Sequence, residues 1–168
     1  EESIQNVIQA TVKRGGYVKD LHGAKNVYYQ VNATYYSALG ESDQRMLMAR
    51  ALQIFMPGKP QVWYLDLFAG KNDYEGMRRA RAGGHKEINR TNLSMEEIEE
   101  SLQKEVVLKQ LELLRMRNTC KAFSEDTEIS STLNGPEMCI IWKNQYGKAV
   151  LNIDFEKEEA WQKGLFHF

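Results

Sequence analysis

The stretch that says most about the fold is PGKPQVWYLDLFAGKND, residues 57–73. Its middle part, residues 61–68, is short, aromatic and almost continuously apolar, which is typical of a strand buried on both faces of a parallel sheet. Pro57 and Pro60 remove amide donors and end any preceding helix. The polar residues 69–73 then predict a loop, and in α/β folds the loop after a strand often carries ligands.

The segment before this stretch predicts a buried helix over residues 43–56, because its second half has almost no polar face. A buried helix, a two-proline turn and a buried strand make an αβ unit of the α/β class. Further upstream, the apolar spacing of residues 3–14 predicts an amphipathic helix that ends at Gly15 and Gly16. Residues 17–40 are interpreted as irregular.

The C-terminal part has a different pattern. A capping-box signature, Ser94-x-x-Glu97, predicts a helix that runs to about Arg117. After Asn118 the period of the apolar residues changes from 3.6 to 2. The pattern then predicts three short strands separated by turns, at residues 127–133, 138–143 and 148–155. We therefore expect a small antiparallel sheet, with a boundary near residue 119.

Composition excludes several classes of function. The 168 residues include 22 basic and 23 acidic side chains, for a net charge of −1, so nothing favours general nucleic-acid binding. No apolar run approaches the roughly 20 residues that span a bilayer, and no membrane partner is expected. Cys120 and Cys139 allow one disulfide by number, but a reduced pair in the cytoplasm is favoured. The start at Glu1 is interpreted as a cut end, and the three Asn-x-Ser/Thr sequences, at Asn32, Asn89 and Asn92, as chance.

No complete catalytic set is present in the sequence. It contains no phosphate-binding Walker loop, no Gly-x-Ser-x-Gly and no His-Glu-x-x-His, and we expect neither a metal nor a cofactor. The three histidines, His22, His85 and His167, have no metal-ligand spacing, so a structural or surface role is favoured. Asp66 lies within the predicted buried strand, where a charge needs a partner. Its carboxylate is therefore either paired with another group at the end of the strand or lines a site.

Two segments are open to a binding or a structural interpretation. The tyrosines around residues 28–36 suit a ligand because each offers an apolar face and a polar tip, but a barrel rim or a subunit contact is favoured. The basic residues within 74–93 are more often a solvated face than an anion site.

Four motifs in order resemble the sucrose phosphorylases and their relatives. They are YQVNATYYSALG at 29–40, ARALQIFMPGKPQVWY at 49–64, AGKND at 69–73 and INR at 88–90. The family belongs to the α-amylase superfamily of (β/α)₈ barrels. The resemblance covers residues 1–120 well, whereas the last 50 residues match in position only.

The resemblance implies a fold class of α/β plus β, in which the end of a (β/α)₈ barrel is followed by a small antiparallel β domain. Residues 1–118 would be the last barrel units and residues 119–168 the C-terminal β domain. A complete barrel takes about 250 residues, so this one is incomplete. The family's Asp nucleophile and Glu acid/base lie on earlier strands, so no catalytic residue is assigned here. Lys19-Asp20-Leu21-His22-Gly23 only superficially resembles the family's third-carboxylate motif, and no such role is assigned to it.

Family resemblance also suggests substrate-binding residues. Gln30, with Tyr28 and Tyr29 before it, matches the loop that covers the sugar site. Lys86 stands where sucrose phosphorylases usually have Arg, and this His-Lys form is similar to the branch that acts on sucrose 6′-phosphate. A lysine is a point charge that suits a phosphate or carboxylate, whereas arginine offers a bidentate fork.

The expected function is that of a C-terminal part of a glycosyltransferase that cleaves sucrose 6′-phosphate or sucrose with inorganic phosphate. The product would be α-glucose 1-phosphate, formed with retention. Three alternatives stay open: a related phosphorylase for another acceptor, such as glycerate; a non-catalytic carbohydrate-binding or interaction module; and a truncated product without a function of its own. Alone, the chain is expected to be inactive and to self-associate or pair with the missing N-terminal part.

Overall fold

A computed structural model describes residues 2–20, 28–81, 83–163 and 166–168. The chain divides into two compact units. The first unit comprises Glu1–Ser42 and Val62–Gln103, and the second comprises Asp43–Gln61 and Lys104–Phe168. No helix within the described ranges is long and apolar enough to cross a membrane.

The elements follow one another along the chain as helices and short antiparallel strands. In order they are α1 Glu2–Lys13, β1 Tyr17–Asp20, β2 Tyr28–Asn32, α2 Tyr35–Ala38, α3 Asp43–Phe55, α4 Tyr64–Leu67, α5 Tyr74–Arg79, a 3₁₀ helix Gly84–Asn89, α6 Met95–Ser101, α7 Glu105–Thr119, a 3₁₀ helix Lys121–Phe123, β3 Glu128–Asn134, β4 Glu137–Asn144, β5 Gly147–Asp154, β6 Glu159–Gln162 and β7 Phe166–His167.

The first unit begins with the predicted amphipathic helix. Gly15 ends α1 with a φ of 85°, a backbone conformation that glycine adopts without strain. The chain then returns as an antiparallel hairpin in which Tyr17 pairs with Asn32 and Val18 with Val31. The expectation that residues 17–40 are irregular was therefore wrong, since β1, β2 and α2 lie within them. Alternation over four or five residues is too short a pattern to stand out among so many tyrosines.

The prediction of a buried strand over residues 61–68 was also wrong. Tyr64–Leu67 forms a helical turn, α4, and Trp63 before it is extended and 51% exposed. A strand needs a neighbour to pair with its amide and carbonyl groups, and no strand within the described ranges pairs with residues 61–63. The helical turn satisfies these groups locally, because the Leu67 amide donates to the Trp63 carbonyl at 3.0 Å and the Gly70 amide to that of Leu65 at 2.8 Å.

The second unit is a five-stranded antiparallel sheet packed with α3 and α7. Alternate residues of β4 and β5 are buried, and they form one core with the apolar faces of the two helices. The indole N–H of Trp142 on β4 donates to the carbonyl of Phe55 at 2.7 Å, which links the sheet to the end of α3. The largest fully buried core side chains are Phe55, Ile54, Leu113, Leu151 and Ile153.

Three strands of this sheet, β3, β4 and β5, confirm the prediction from the two-residue alternation, within one residue at each end. Two further strands, β6 and β7, were not predicted. The helix expected from Ser94 to Arg117 is two helices, because Lys104 adopts an extended backbone conformation between α6 and α7. Cys120 and Cys139 are both free thiols.

Candidate functional site

The first unit contains an open cleft of about 690 Å³. Its walls come from α1, the end of β2 with the segment that follows, α4 and the 3₁₀ helix Gly84–Asn89. The lining residues are Val7, Thr11, Gln30, Val31, Asn32, Ala33, Thr34, Tyr35, Ala38, Trp63, Asp66, Lys86, Asn89 and Arg90. The motifs that resemble the sucrose phosphorylases therefore supply most of this one surface.

Side chains from distant segments fix the backbone that follows β2. The carboxylate of Asp66 accepts from the Tyr35 amide at 2.8 Å, and the Asn89 side chain donates to the Ala33 carbonyl at 3.3 Å. Asp66 is only 5% exposed and lines the cleft. Both interpretations offered from sequence thus hold for Asp66, which is hydrogen-bonded and also part of the wall.

The polar loop at residues 69–73 is hydrogen-bonded to the segment after β2 that lines the cleft. The backbone amide of Thr34 donates to Oδ1 of the Asn72 side chain at 2.8 Å. The backbone amide of Asn72 donates to Ser37 Oγ at 3.0 Å. Asp73 caps α5, since its carboxylate accepts from the Gly76 amide at 2.7 Å. Asn72 and Asp73 therefore act as scaffold residues that hold the β2–α2 segment and α5 in place.

Two of the four predicted substrate-binding residues come together in the cleft. Gln30 lies on β2 and Lys86 lies on the 3₁₀ helix, and both line the same cavity. Tyr28 and Tyr29 belong to β2 by their backbone, but their side chains lie outside the described parts of the structure. His22 lies wholly outside the described residues, together with the rest of residues 21–27.

Sequence reasoning missed Asn32 as a site residue. This asparagine is only 6% exposed and lines the cleft, yet its Nδ2 has no hydrogen-bond partner among the described residues. Gln30 Oε1 is buried without a partner in the same way. The available signal was the strand period, because residues 30 and 32 share one face of β2.

The charges in the cleft favour an anionic ligand. Lys86 and Arg90 are cations in its lining, and Asp66, the single carboxylate among the described lining residues, already accepts the Tyr35 amide. The Arg90 guanidinium also lies 3.5 Å from the Glu87 carboxylate, measured from Nη1 to Oε1. Lys86 is therefore the cation of the two that is more available to a ligand. No cluster of three metal-ligating side chains occurs within the described ranges.

The cleft by itself is equipped for binding. A retaining glycosyl transfer uses two carboxyl groups, one as nucleophile and one as acid/base. Asp66 supplies one buried carboxylate that is engaged in holding the backbone. The amides, the cations and the exposed Trp63 indole are suited to hydroxyl groups, an anion and a sugar face respectively.

Over most of its length the chain is similar to known phosphorylases. A sucrose 6(F)-phosphate phosphorylase of Ilumatobacter coccineus is 50% identical over 161 residues, which is 94% of this chain and 31% of the relative. A sucrose phosphorylase of Bifidobacterium adolescentis is 37% identical over 154 residues, or 91% of this chain and 30% of that protein. A scan against models of protein families gave no match.

The solved structure of sucrose 6F-phosphate phosphorylase from Thermoanaerobacter thermosaccharolyticum superposes on 98% of this chain with a TM-score of 0.84 and 35% identity, and the match covers 35% of that structure. This likeness confirms the predicted fold class of an α/β part followed by an antiparallel β domain. The chain spans about a third of the length of the relatives it matches. By sequence and by structure, it is homologous to the C-terminal part of the sucrose 6F-phosphate phosphorylases.

Proposed function

We propose that this chain is the C-terminal part of a glycoside phosphorylase that cleaves sucrose 6′-phosphate, or sucrose, with inorganic phosphate. An upstream Asp would displace fructose 6-phosphate, or fructose, from the glucosyl carbon while an upstream Glu gives its proton to the departing oxygen. Phosphate, which returns a proton to this Glu, would then displace the Asp to give α-glucose 1-phosphate. Two inversions at one carbon give overall retention. The present chain would supply a wall of the acceptor site.

One observation carries this proposal: Gln30 and Lys86, 56 positions apart in sequence, line the same cleft. The amide of Gln30 suits sugar hydroxyls, since it both donates and accepts. The ammonium of Lys86 suits the phosphate of a phosphorylated acceptor. We assign Tyr28 and Tyr29 to the same sugar site on the strength of the motif alone.

The remaining parts of the proposal follow from the family. Residues 1–118 are proposed to complete the (β/α)₈ barrel and residues 119–168 to form the C-terminal β domain. Both α3, which ends at Phe55, and α7, which ends at Thr119, pack with the β sheet, so this domain would be anchored through the last barrel helices. The proposed enzyme acts in the cytoplasm without a cofactor, on a sugar or sugar phosphate and inorganic phosphate.

A second acceptor is the main alternative. Lys86 would bind the carboxylate of glycerate as well as it binds a phosphate, so a glucosylglycerate phosphorylase would present the same charge. A non-catalytic carbohydrate-binding module is a further alternative, and it would bind sugar without turnover.

The test measures release of glucose 1-phosphate from sucrose 6′-phosphate, sucrose and glucosylglycerate in the presence of phosphate. We expect the full-length protein to favour sucrose 6′-phosphate and the 168-residue chain to be inactive. Preference for glucosylglycerate would establish the alternative acceptor. Turnover by the isolated chain would show that its own carboxylates do the chemistry, and absence of turnover by the full-length protein would refute the proposal.

A further inference from the structure

Two buried amide atoms on one face of β2 have no partner. Gln30 Oε1 and Asn32 Nδ2 are both inaccessible to solvent and unbonded among the described residues, and both side chains line the cleft. Residues two apart in a strand lie on the same face, about 6.6 Å apart along the chain. The pair therefore presents one acceptor and one donor side by side.

These unpaired atoms stand out against their surroundings. The neighbouring backbone groups of Ala33, Thr34 and Tyr35 are each paired with a side chain from another segment. In folded proteins the great majority of buried polar side-chain atoms have a partner, so an exception calls for an explanation. Loose packing does not explain it, because Asn32 is 94% buried within a well-bonded segment.

The missing partners have a recognisable chemistry. Gln30 Oε1 needs a donor and Asn32 Nδ2 needs an acceptor, and a hydroxyl group serves as either. Because both atoms are closed to solvent in the free chain, a polyhydroxylated ligand in the cleft would satisfy the two amides after their side chains turn toward it. Lys86 lies in the same lining and would hold an anionic group of that ligand.

We infer that Asn32 is a substrate-binding residue which donates from Nδ2 to a hydroxyl of the acceptor sugar, beside Gln30. This inference rests on the proposed function and adds a residue to the acceptor site. Asn32 sets how well the acceptor is held, and it takes no part in forming the glucosyl-enzyme.

The experiment uses the full-length protein and the synthesis direction, from glucose 1-phosphate with fructose 6-phosphate or fructose. Asn32→Ala and the nearly isosteric Asn32→Asp are compared with Asn118→Ala, a control at an exposed asparagine. Loss of a buried hydrogen bond is expected to raise KM about 10-fold for both acceptors. Hydrolysis of glucose 1-phosphate, which needs no acceptor sugar, should keep its rate.

The outcomes separate binding from structure and from charge. An unchanged KM in both Asn32 variants would overturn the inference. A fall in hydrolysis together with a lowered Tm would do so as well, because it would mean that Asn32 pairs with the upstream part of the protein. A KM rise with fructose 6-phosphate only, in Asn32→Asp only, would indicate charge repulsion and would also overturn it.

Failure of the proposed function would be seen separately. If the wild-type protein phosphorolyses none of the glucosides, calorimetric titration with sucrose still tests Asn32. Weaker sucrose binding by Asn32→Ala than by wild type and by Asn118→Ala would support the inference. Equal binding, or no binding by any of the three, would overturn it.

Discussion

Lys86 is the residue on which the choice of substrate is expected to depend. It lies in the 3₁₀ helix Gly84–Asn89 and lines the cleft. Asp66 is the single carboxylate among the described lining residues, and it already accepts a hydrogen bond from the Tyr35 amide. An ammonium in such a place attracts a phosphate group and adds little binding free energy for a neutral sugar.

We predict that Lys86→Ala in the full-length protein lowers kcat/KM for sucrose 6′-phosphate by about 10- to 100-fold, the worth of a charged hydrogen bond. The value for sucrose should change little. Lys148→Ala, at an exposed lysine of the second unit, is the matched control. Equal losses on both substrates would contradict a role in phosphate recognition, and steady-state kinetics on the two substrates distinguishes these results.

Asp154 is a second residue with a defined electrostatic role. At the end of β5 its carboxylate lies 2.8 Å from the Lys157 ammonium and accepts from the amides of Glu156 and Lys157 at 3.0 Å each. The side-chain hydrogen bond with Lys157, followed by these amides, holds the pKa of Asp154 below its ordinary value. The charged form thus stabilises the turn between β5 and β6.

The lowered pKa fixes the direction of a pH effect. A depressed folded-state pKa gives stability that is present above the unfolded value, about 3.9, and is lost as pH falls through the folded value. We predict that Asp154→Asn lowers the urea midpoint at pH 7 and that its gap from wild type narrows below about pH 4. Circular dichroism in urea across this range measures the gap. A gap that stays constant down to the acid transition would contradict the prediction.

At the scale of elements, the start of α6 shows how a short sequence signal fixes a boundary. Ser94 Oγ accepts from the Glu97 amide at 3.2 Å, and the Glu97 carboxylate accepts from the Ser94 amide at 2.7 Å. The hydrogen bond that the Ser94 amide donates to the Glu97 carboxylate is the largest cause that lowers the pKa of Glu97. Both halves of the capping box lie within four residues, so no tertiary context is needed to form it.

We predict that Ser94→Ala frays the first turn of α6 and speeds hydrogen exchange of the amides at residues 97 and 98. Loss of an N-cap costs about 1 kcal/mol of helix stability, so exchange in this turn should quicken about fivefold. The amides of α7, which begins independently at Glu105, should be unaffected. Equal acceleration in both helices would indicate that they unfold as one element.

Predictability from sequence followed the range of the interactions involved. The capping box and the strands β3, β4 and β5 were predicted, because caps and hairpins between consecutive strands are local. Residues 61–68 have the composition of a strand, but strand formation depends on neighbours, and none in the described parts pairs with them. Lys104 interrupts an otherwise suitable helical pattern by its backbone conformation alone.

The candidate site was predictable only in part, for a related reason. Gln30 and Lys86 were named from motifs, and the structure places both in one cleft. Asn32 was passed over because an asparagine in a strand has no sequence signature of its own; its significance lies in a buried Nδ2 without a partner. Such a feature emerges only when the surrounding atoms are known.

At the scale of the whole molecule, the first unit exposes several large apolar side chains. Ile4 and Val7 of α1 are 63% and 66% exposed, and Trp63 and Tyr35 are more than half exposed. Since the matched relatives are about three times as long, we propose that the upstream part of the full-length protein covers the exposed side chains of α1.

We therefore predict that the isolated 168-residue chain self-associates. Sedimentation velocity should show an average mass that rises with concentration, and the double variant Ile4→Glu, Val7→Glu should shift it toward the monomer. Met95→Glu, at an exposed methionine in the first turn of α6, is the control. A chain that stays monomeric throughout, with Trp63 still exposed to a fluorescence quencher, would contradict the prediction.

Of the three tryptophans, Trp63 belongs to the first unit, and Trp142 and Trp161 belong to the second. Trp63 stands half exposed in the cleft wall, whereas Trp142 is buried in the second unit, with the Arg117 guanidinium 4.4 Å from its ring centre. A sugar that enters the cleft would exclude water from Trp63 and shift its emission to the blue without disturbing Trp142. Unfolding of the sheet would break the contact with Arg117 and change the emission of Trp142. In a Trp161→Phe variant, which keeps one tryptophan in each unit, ligand binding and unfolding of the sheet can thus be followed separately by intrinsic fluorescence.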